Sequence, residues 1–185
     1  MKRDNRGLTL VEVVVIIAMI GILAGTGVYG IAQISGFRAR EGADTIANSI
    51  TQARIAMLGK SKGAGNMAWE IRCDGSKYYV RTVYNVGTSE YYKDEEKIVN
   101  ANVEVYIGET TKGTLTGAGT TTTQLLTDSS TPVRFYFNRS TGALCDENGV
   151  TNSSNAYISV KQGNKNYDVM IIAKTGKILT QTVRK

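Results

Sequence analysis

The sequence predicts an α+β protein, a long N-terminal α-helix packed on a C-terminal antiparallel β-sheet domain. Three observations carry that expectation. No charged residue lies between Val13 and Phe37, a stretch built mostly from Val, Ile, Ala and Gly. Directly after it, Ala39, Ala43, Ile46, Ala47, Ile50, Ala53 and Met57 recur at three- and four-residue steps, the stripe of a helix lying on a core. From Trp69 the period changes to two, and Val, Ile, Tyr and Thr dominate. The helix thus reads as a transmembrane half followed by an amphipathic half.

A chain of 185 residues gives one folded domain plus an extension, and 42% apolar residues suffice for a core. The absence of histidine removes the commonest general base and the commonest metal ligand. Cys73 and Cys145 cannot make a zinc cluster and are too few for a disulfide scaffold. Ser159 and Thr175 have no histidine to activate them, and Gly63-Ala64-Gly65 lacks the lysine of a phosphate loop. Asp94-Glu95-Glu96 reads as a solvated charge run in a loop. The expectation is a protein that is not an enzyme and has no cofactor or metal.

At the N-terminus, Met1-Lys-Arg-Asp-Asn-Arg6 carries three bases against one acid. The positive-inside bias keeps this end in the cytoplasm and sends the chain outward after Phe37. The 25 uncharged residues from Val13 to Phe37 exceed the roughly 20 needed to cross a bilayer. A secretory signal peptide fits less well, because the run is long and no small-x-small site precedes the polar sequence. A plain signal anchor leaves Glu12 unexplained.

Glu12 lies between Leu8, Leu10 and Val11 on one side and Val13 to Ile17 on the other. A carboxylate in hydrocarbon costs about 2.5–3.5 kcal/mol, so it needs a partner. No Lys or Arg lies between residues 7 and 37. A cut after Gly7 would create one in the α-amine of Leu8, cationic near neutral pH. On the same helix that amine is about 6 Å of rise away, so the amine of a neighbouring subunit is the more useful partner. Such a pair acts as a register device that penalises any assembly leaving it unmade.

The segment Gly7-Leu8-Thr9-Leu10-Val11-Glu12-Val13-Val14-Val15-Ile16-Ile17-Ala18-Met19-Ile20-Gly21-Ile22-Leu23-Ala24 resembles the N-terminal signature of type IV prepilins and type II secretion pseudopilins. The resemblance implies the pilin fold, cleavage between Gly7 and Leu8 by a prepilin peptidase, and N-methylation of Leu8. It further implies a subunit that waits in membrane lipid, meets an assembly platform protein, and joins other pilins in a helical filament, with Thr9, Glu12 and Gly21 as assembly residues. Two positions depart from the pattern. Leu8 stands where phenylalanine is usual, and Tyr29 stands where many major pilins have a helix-bending proline, with Gly25, Gly27 and Gly30 nearby.

The amphipathic stripe extends the helix from Leu8 to Leu58, about 75 Å at 1.5 Å per residue; the alternative is two helices hinged at Gly36. Leu58-Gly59 and the Lys60–Gly65 stretch read as a glycine stop and a flexible exit. The organisation expected is a leader over 1–7, a transmembrane and assembly helix over 8–36, an amphipathic helix over 37–62 and a β-rich head over 63–185. Strands are expected at Trp69–Cys73, Lys77–Tyr84, Ile98–Ile107, Val133–Asn138, Ala156–Gln162, Tyr167–Lys174 and Lys177–Val183, joined by turns into an antiparallel sheet. Ten of the 22 residues from Thr110 to Thr131 are threonine, so a Thr/Gly-rich surface loop is expected over about 108–131.

Three later segments are similar to the H-type minor pseudopilins and FimT-like minor pilins: Ala47-Asn-Ser-Ile-Thr-Gln-Ala53-Arg54, Val133-Arg-Phe-Tyr-Phe-Asn-Arg-Ser-Thr-Gly142, and Val169-Met-Ile-Ile-Ala-Lys-Thr-Gly176-Lys177. That similarity implies a low-abundance subunit placed near a filament tip or in its priming complex, in a pilus or a type II secretion pseudopilus, and not the bulk pilin. Export to an oxidising compartment leaves a Cys73–Cys145 disulfide open, worth about 2–4 kcal/mol if formed. Removing the leader lowers the formal charge from +6 to +4. The remaining excess serves solubility; the alternative is a DNA-binding minor pilin of a competence pilus, contacting phosphates through Lys174, Lys177, Arg184 and Lys185. The expected location is the cytoplasmic membrane, N-terminus inside and head outside, then the extracytoplasmic filament.

Overall fold

A computed structural model describes residues 9–59, 67–75, 77–98, 103–110, 122–128 and 131–183, with the side chains of 24–35 outside the description. The chain divides into two compact units, Met1–Ser35 and Gly36–Lys185. Both draw on one helix, α1 (Leu10–Met57). The leader, Gly7 and Leu8 lie outside the described residues, as do the side chains of Gly25, Gly27, Tyr29 and Gly30.

In the first unit every side chain from Leu10 to Leu23 is exposed. Among the described residues no helix is long and apolar enough to cross a membrane. The segment expected to do so, 8–36, lies partly outside them.

In the second unit the stripe Ala39, Ala43, Ile46, Ala47, Ile50, Ala53 and Met57 is buried. It joins one hydrophobic cluster with residues of the strands Met67–Asp74, Lys77–Tyr84, Glu104–Thr110, Val133–Phe137, Asn155–Gln162 and Lys165–Ile171, with half-buried Ile178 packed against it. Four alanines on that stripe let the helix lie close to the strands. The amphipathic segment stops at Met57 rather than 62, because Gly59 takes a left-handed φ of 74° and its N–H donates to the Arg139 carbonyl at 3.0 Å. Residues 60–62 lie outside the described residues.

Among the described residues ten strands follow: β1 (Met67–Asp74), β2 (Lys77–Tyr84), β3 (Tyr91–Lys97), β4 (Glu104–Thr110), β5 (Thr122–Leu125), β6 (Val133–Phe137), β7 (Leu144–Cys145), β8 (Asn155–Gln162), β9 (Lys165–Ile171) and β10 (Ile178–Val183). They form two five-stranded sheets, in the orders β3-β2-β1-β6-β7 and β10-β9-β8-β4-β5, where the sequence suggested a single sheet. Every pairing is antiparallel.

Three local expectations are corrected, and one short strand was not foreseen. The charge run Asp94-Glu95-Glu96 is strand β3, not loop, held on β2 through a register shift near Val80 and Thr82 with Asp94 at φ 57°. The strand expected over Ile98–Ile107 begins only at Glu104, as β4; Ile98 and Val103 are buried but not in a strand, and 99–102 lie outside the described residues. The Thr/Gly-rich loop contains β5, paired from Glu109↔Thr122 to Tyr106↔Leu125, because β-branched threonines suit an edge strand. The two-residue β7 was too short to leave a periodicity.

Trp69 is fully buried, its ring stacked on Phe135 at 5.6 Å and its Nε1–H donating to Ser49 Oγ at 2.9 Å. That bond fixes the helix to β1 and satisfies the indole donor that burial would otherwise strand.

Candidate functional site at the helix N-terminus

Thr9 precedes the first helical residue, and Glu12 is the third residue of the helix. The Glu12 carboxylate accepts from the Thr9 backbone N–H at 2.9 Å and from the Thr9 hydroxyl at 3.0 Å, both on Oε2. The Glu12 N–H donates back to Thr9 Oγ1 at 3.3 Å, and Val13 N–H closes the first turn on the Thr9 carbonyl at 3.2 Å. This is a capping box: the hydroxyl and the carboxylate each satisfy a backbone donor that the helix start leaves unpaired. The acid also faces the positive end of the helix dipole.

Glu12 is the one charged residue among the described residues from Thr9 to Leu23, set in an exposed apolar surface. Gly21 has nothing of its own chain within 4 Å of where a Cβ would be. No packing among the described residues therefore requires glycine there; a need for it would come from a neighbouring molecule.

The other site residues lie elsewhere. Lys174 and Lys177 are exposed in the β9–β10 turn, while Arg184 and Lys185 lie outside the described residues. Cys73 and Cys145 form no disulfide. The register explains this: Cys145 pairs with Tyr136, which lies in line with Ala68, five residues from Cys73 and two strands away. Pleat and strand spacings put the pair about 20 Å apart, far beyond disulfide reach. Cys73 instead donates to Asp128 Oδ1 at 3.3 Å. Among the described residues no group of three His, Cys, Asp or Glu is placed to hold a metal.

The segments 47–54, 133–142 and 169–177 meet at Arg54. Its Nε–H donates to the Gly142 carbonyl and its Nη2–H to the Thr175 carbonyl, both at 2.9 Å. They form a latch that ties the end of α1 to the β6–β7 and β9–β10 turns.

One charged group was missed by sequence reasoning. Glu70 is fully buried, yet its carboxylate meets Arg81 Nη2 at 2.6 Å and Arg134 Nε at 2.8 Å. Arg134 then forks onto Glu90, and Arg81 and Arg72 share Glu95. The Glu90 carboxyl is held below its usual range by Arg134 and by the Gly87 N–H. The signal was present: an acid between Trp69 and Ile71, which the β1–β2 register sets directly opposite Arg81.

A second buried acid, Asp168, sits on β9 beside Ser159 of β8, and its Oδ1 has no hydrogen-bond partner among the described residues. Burial pushes its carboxyl up, against hydrogen bonds from Ser159 and Tyr157. Burial and the same carboxylate push the Tyr157 hydroxyl up as well. A raised folded value means the group's stabilising share is complete below about pH 4 and is lost as pH rises through the folded value. Asp168→Asn is therefore expected to raise the melting temperature at pH 7 and to change little below about pH 4, as thermal melts at the two pH values would show. An equal shift at both would remove ionisation as the cause.

Compared with known proteins, residues 2–28 match the family model described as the prokaryotic N-terminal methylation motif. No curated protein and no solved structure matches the chain. The matched residues contain the Thr9–Glu12 capping box and Gly21, so the N-terminal end of this chain carries a prepilin-type methylation motif.

Proposed function

We propose that the protein is a minor pilin or pseudopilin, a structural subunit of a type IV pilus or type II secretion pseudopilus. A prepilin peptidase cuts between Gly7 and Leu8, and the new Leu8 amine is methylated. The subunit then waits in the membrane, head outside, until an assembly platform feeds it into a helical filament of other pilins. The observation that carries this reading is the single carboxylate of Glu12 within an exposed apolar helix surface, inside the methylation motif. Thr9 supports the acid before assembly, and the amine of a neighbouring subunit takes it over in the filament. The DNA-uptake reading rests on four cations, Lys174 and Lys177 exposed in the β9–β10 turn and Arg184 and Lys185 outside the described residues, and four such contacts give only weak, salt-sensitive binding.

Two outcomes test it. Glu12→Gln keeps the box's acceptor and removes the charge, so it is expected to be inserted and cleaved yet largely absent from sheared filament fractions. Normal incorporation would sink the pairing argument. Gly7→Leu is expected to leave the leader attached, read by intact mass as a chain longer by residues 1–7.

A further inference from the structure

We propose that the end of the head where the chain enters it, marked by Phe37, Arg38 and Lys165, docks on an anionic lipid surface. This rests on the membrane reading above and adds a partner for the head itself. Gly36 is buried beneath Lys165: a Cβ there would run into the lysine's Cδ and come within 2.9 Å of Nζ. The bare glycine backbone thus beds the lysine stem, while the residue as a whole stays exposed. Stem and ammonium both lie against the Gly36 backbone, so the charge is held at the point where the helix enters the head.

Beside it Phe37 is 68% exposed, an apolar ring at the last position of the uncharged run that would bury at the boundary of headgroups and acyl chains. The surrounding charges decide which cations are available. Arg40 faces Asp44 at 3.8 Å, and Lys161 is bound to Glu104 at 3.1 Å. Among the described residues Arg38 and Lys165 pair with no carboxylate, and Glu41, also exposed, is the remaining acid on this stretch of α1. The β8–β9 turn that presents Lys165 is itself exposed, with Gly163 at φ 58°. Two uncommitted cations flanking an exposed ring suit lipid phosphates, at roughly fivefold in docked population per cation.

The test uses the full chain in vesicles of phosphatidylcholine alone and in vesicles with phosphatidylglycerol added. Flotation reports insertion, and hydrogen–deuterium exchange reports the amides of Gln162–Asn166. Exchange in that turn is expected to slow several-fold with the anionic lipid and to recover at about 1 M salt, where screening is within about 3 Å. The double variant Arg38→Glu, Lys165→Glu is expected to lose the protection, with Trp69 fluorescence unchanged to show an intact fold. Equal exchange in the two lipids by a chain that floats would overturn the docking alone, as would protection that survives the double variant. Failure to float would overturn the membrane reading and the docking with it.

Discussion

Glu70→Ala is expected to cost the head about 3–5 kcal/mol, the range for removing one partner of a buried ion pair. The acid is fully buried while Arg81 and Arg134 are only 15% and 27% exposed, so its loss leaves two guanidinium groups close together and short of an acceptor. Glu95 and Glu90 still hold the outer sides of those arginines, which places the cost toward the lower end. Urea unfolding followed through Trp69, the single tryptophan, measures it. A loss under about 1 kcal/mol would mean that water replaces the carboxylate freely. Replacing Glu70, Arg81 and Arg134 together by apolar residues of similar volume is expected to recover much of the loss, since the desolvation cost leaves with the charges.

Gly176→Ala is the second large effect, again about 3–5 kcal/mol from the sum of two costs. Gly176 has φ 62°, where an L side chain costs about 1–2 kcal/mol. A Cβ would also collide with the Gly142 carbonyl and the Arg54 guanidinium, breaking the latch at the end of α1. Gly163→Ala separates the two costs. Its φ is 58° with nothing within 4 Å, so only the backbone strain applies, about 1–2 kcal/mol. Equal losses at the two positions would show that the latch contributes nothing.

The helix was legible in the sequence because its signals are local. The Ala39–Met57 stripe and the Gly59 stop each act within a turn or two, and α1 ends at Met57 beside that stop, short of the 62 expected for the amphipathic segment. The strands flanked by tight turns, β1, β2, β8, β9 and β10, were readable for the same reason. β3 was not: Tyr91-Tyr-Lys-Asp-Glu-Glu-Lys97 has no apolar alternation, and what fixes it is Arg72 and Arg81 reaching Glu95 from neighbouring strands. The candidate site was legible for the opposite reason to Glu70. Glu12 stands out against an uncharged background, whereas Glu70 is one acid in a chain with 16, and its meaning depends on the hairpin register.

The sequence by itself determined the local part of the N-terminal device, a prepilin-like signature with one acid, Glu12, in an uncharged apolar run; that Thr9 caps the helix with Glu12 came from the structure. It also determined the α+β class, since the change of period near Trp69 is a property of the chain alone. Only the tertiary structure decided that the strands make two sheets, that Cys73 and Cys145 lie too far apart to join, and that three distant segments converge on Arg54. Those facts depend on which strands pair and in what register, and a contact across 88 residues, such as Arg54 to Gly142, leaves no local pattern to read.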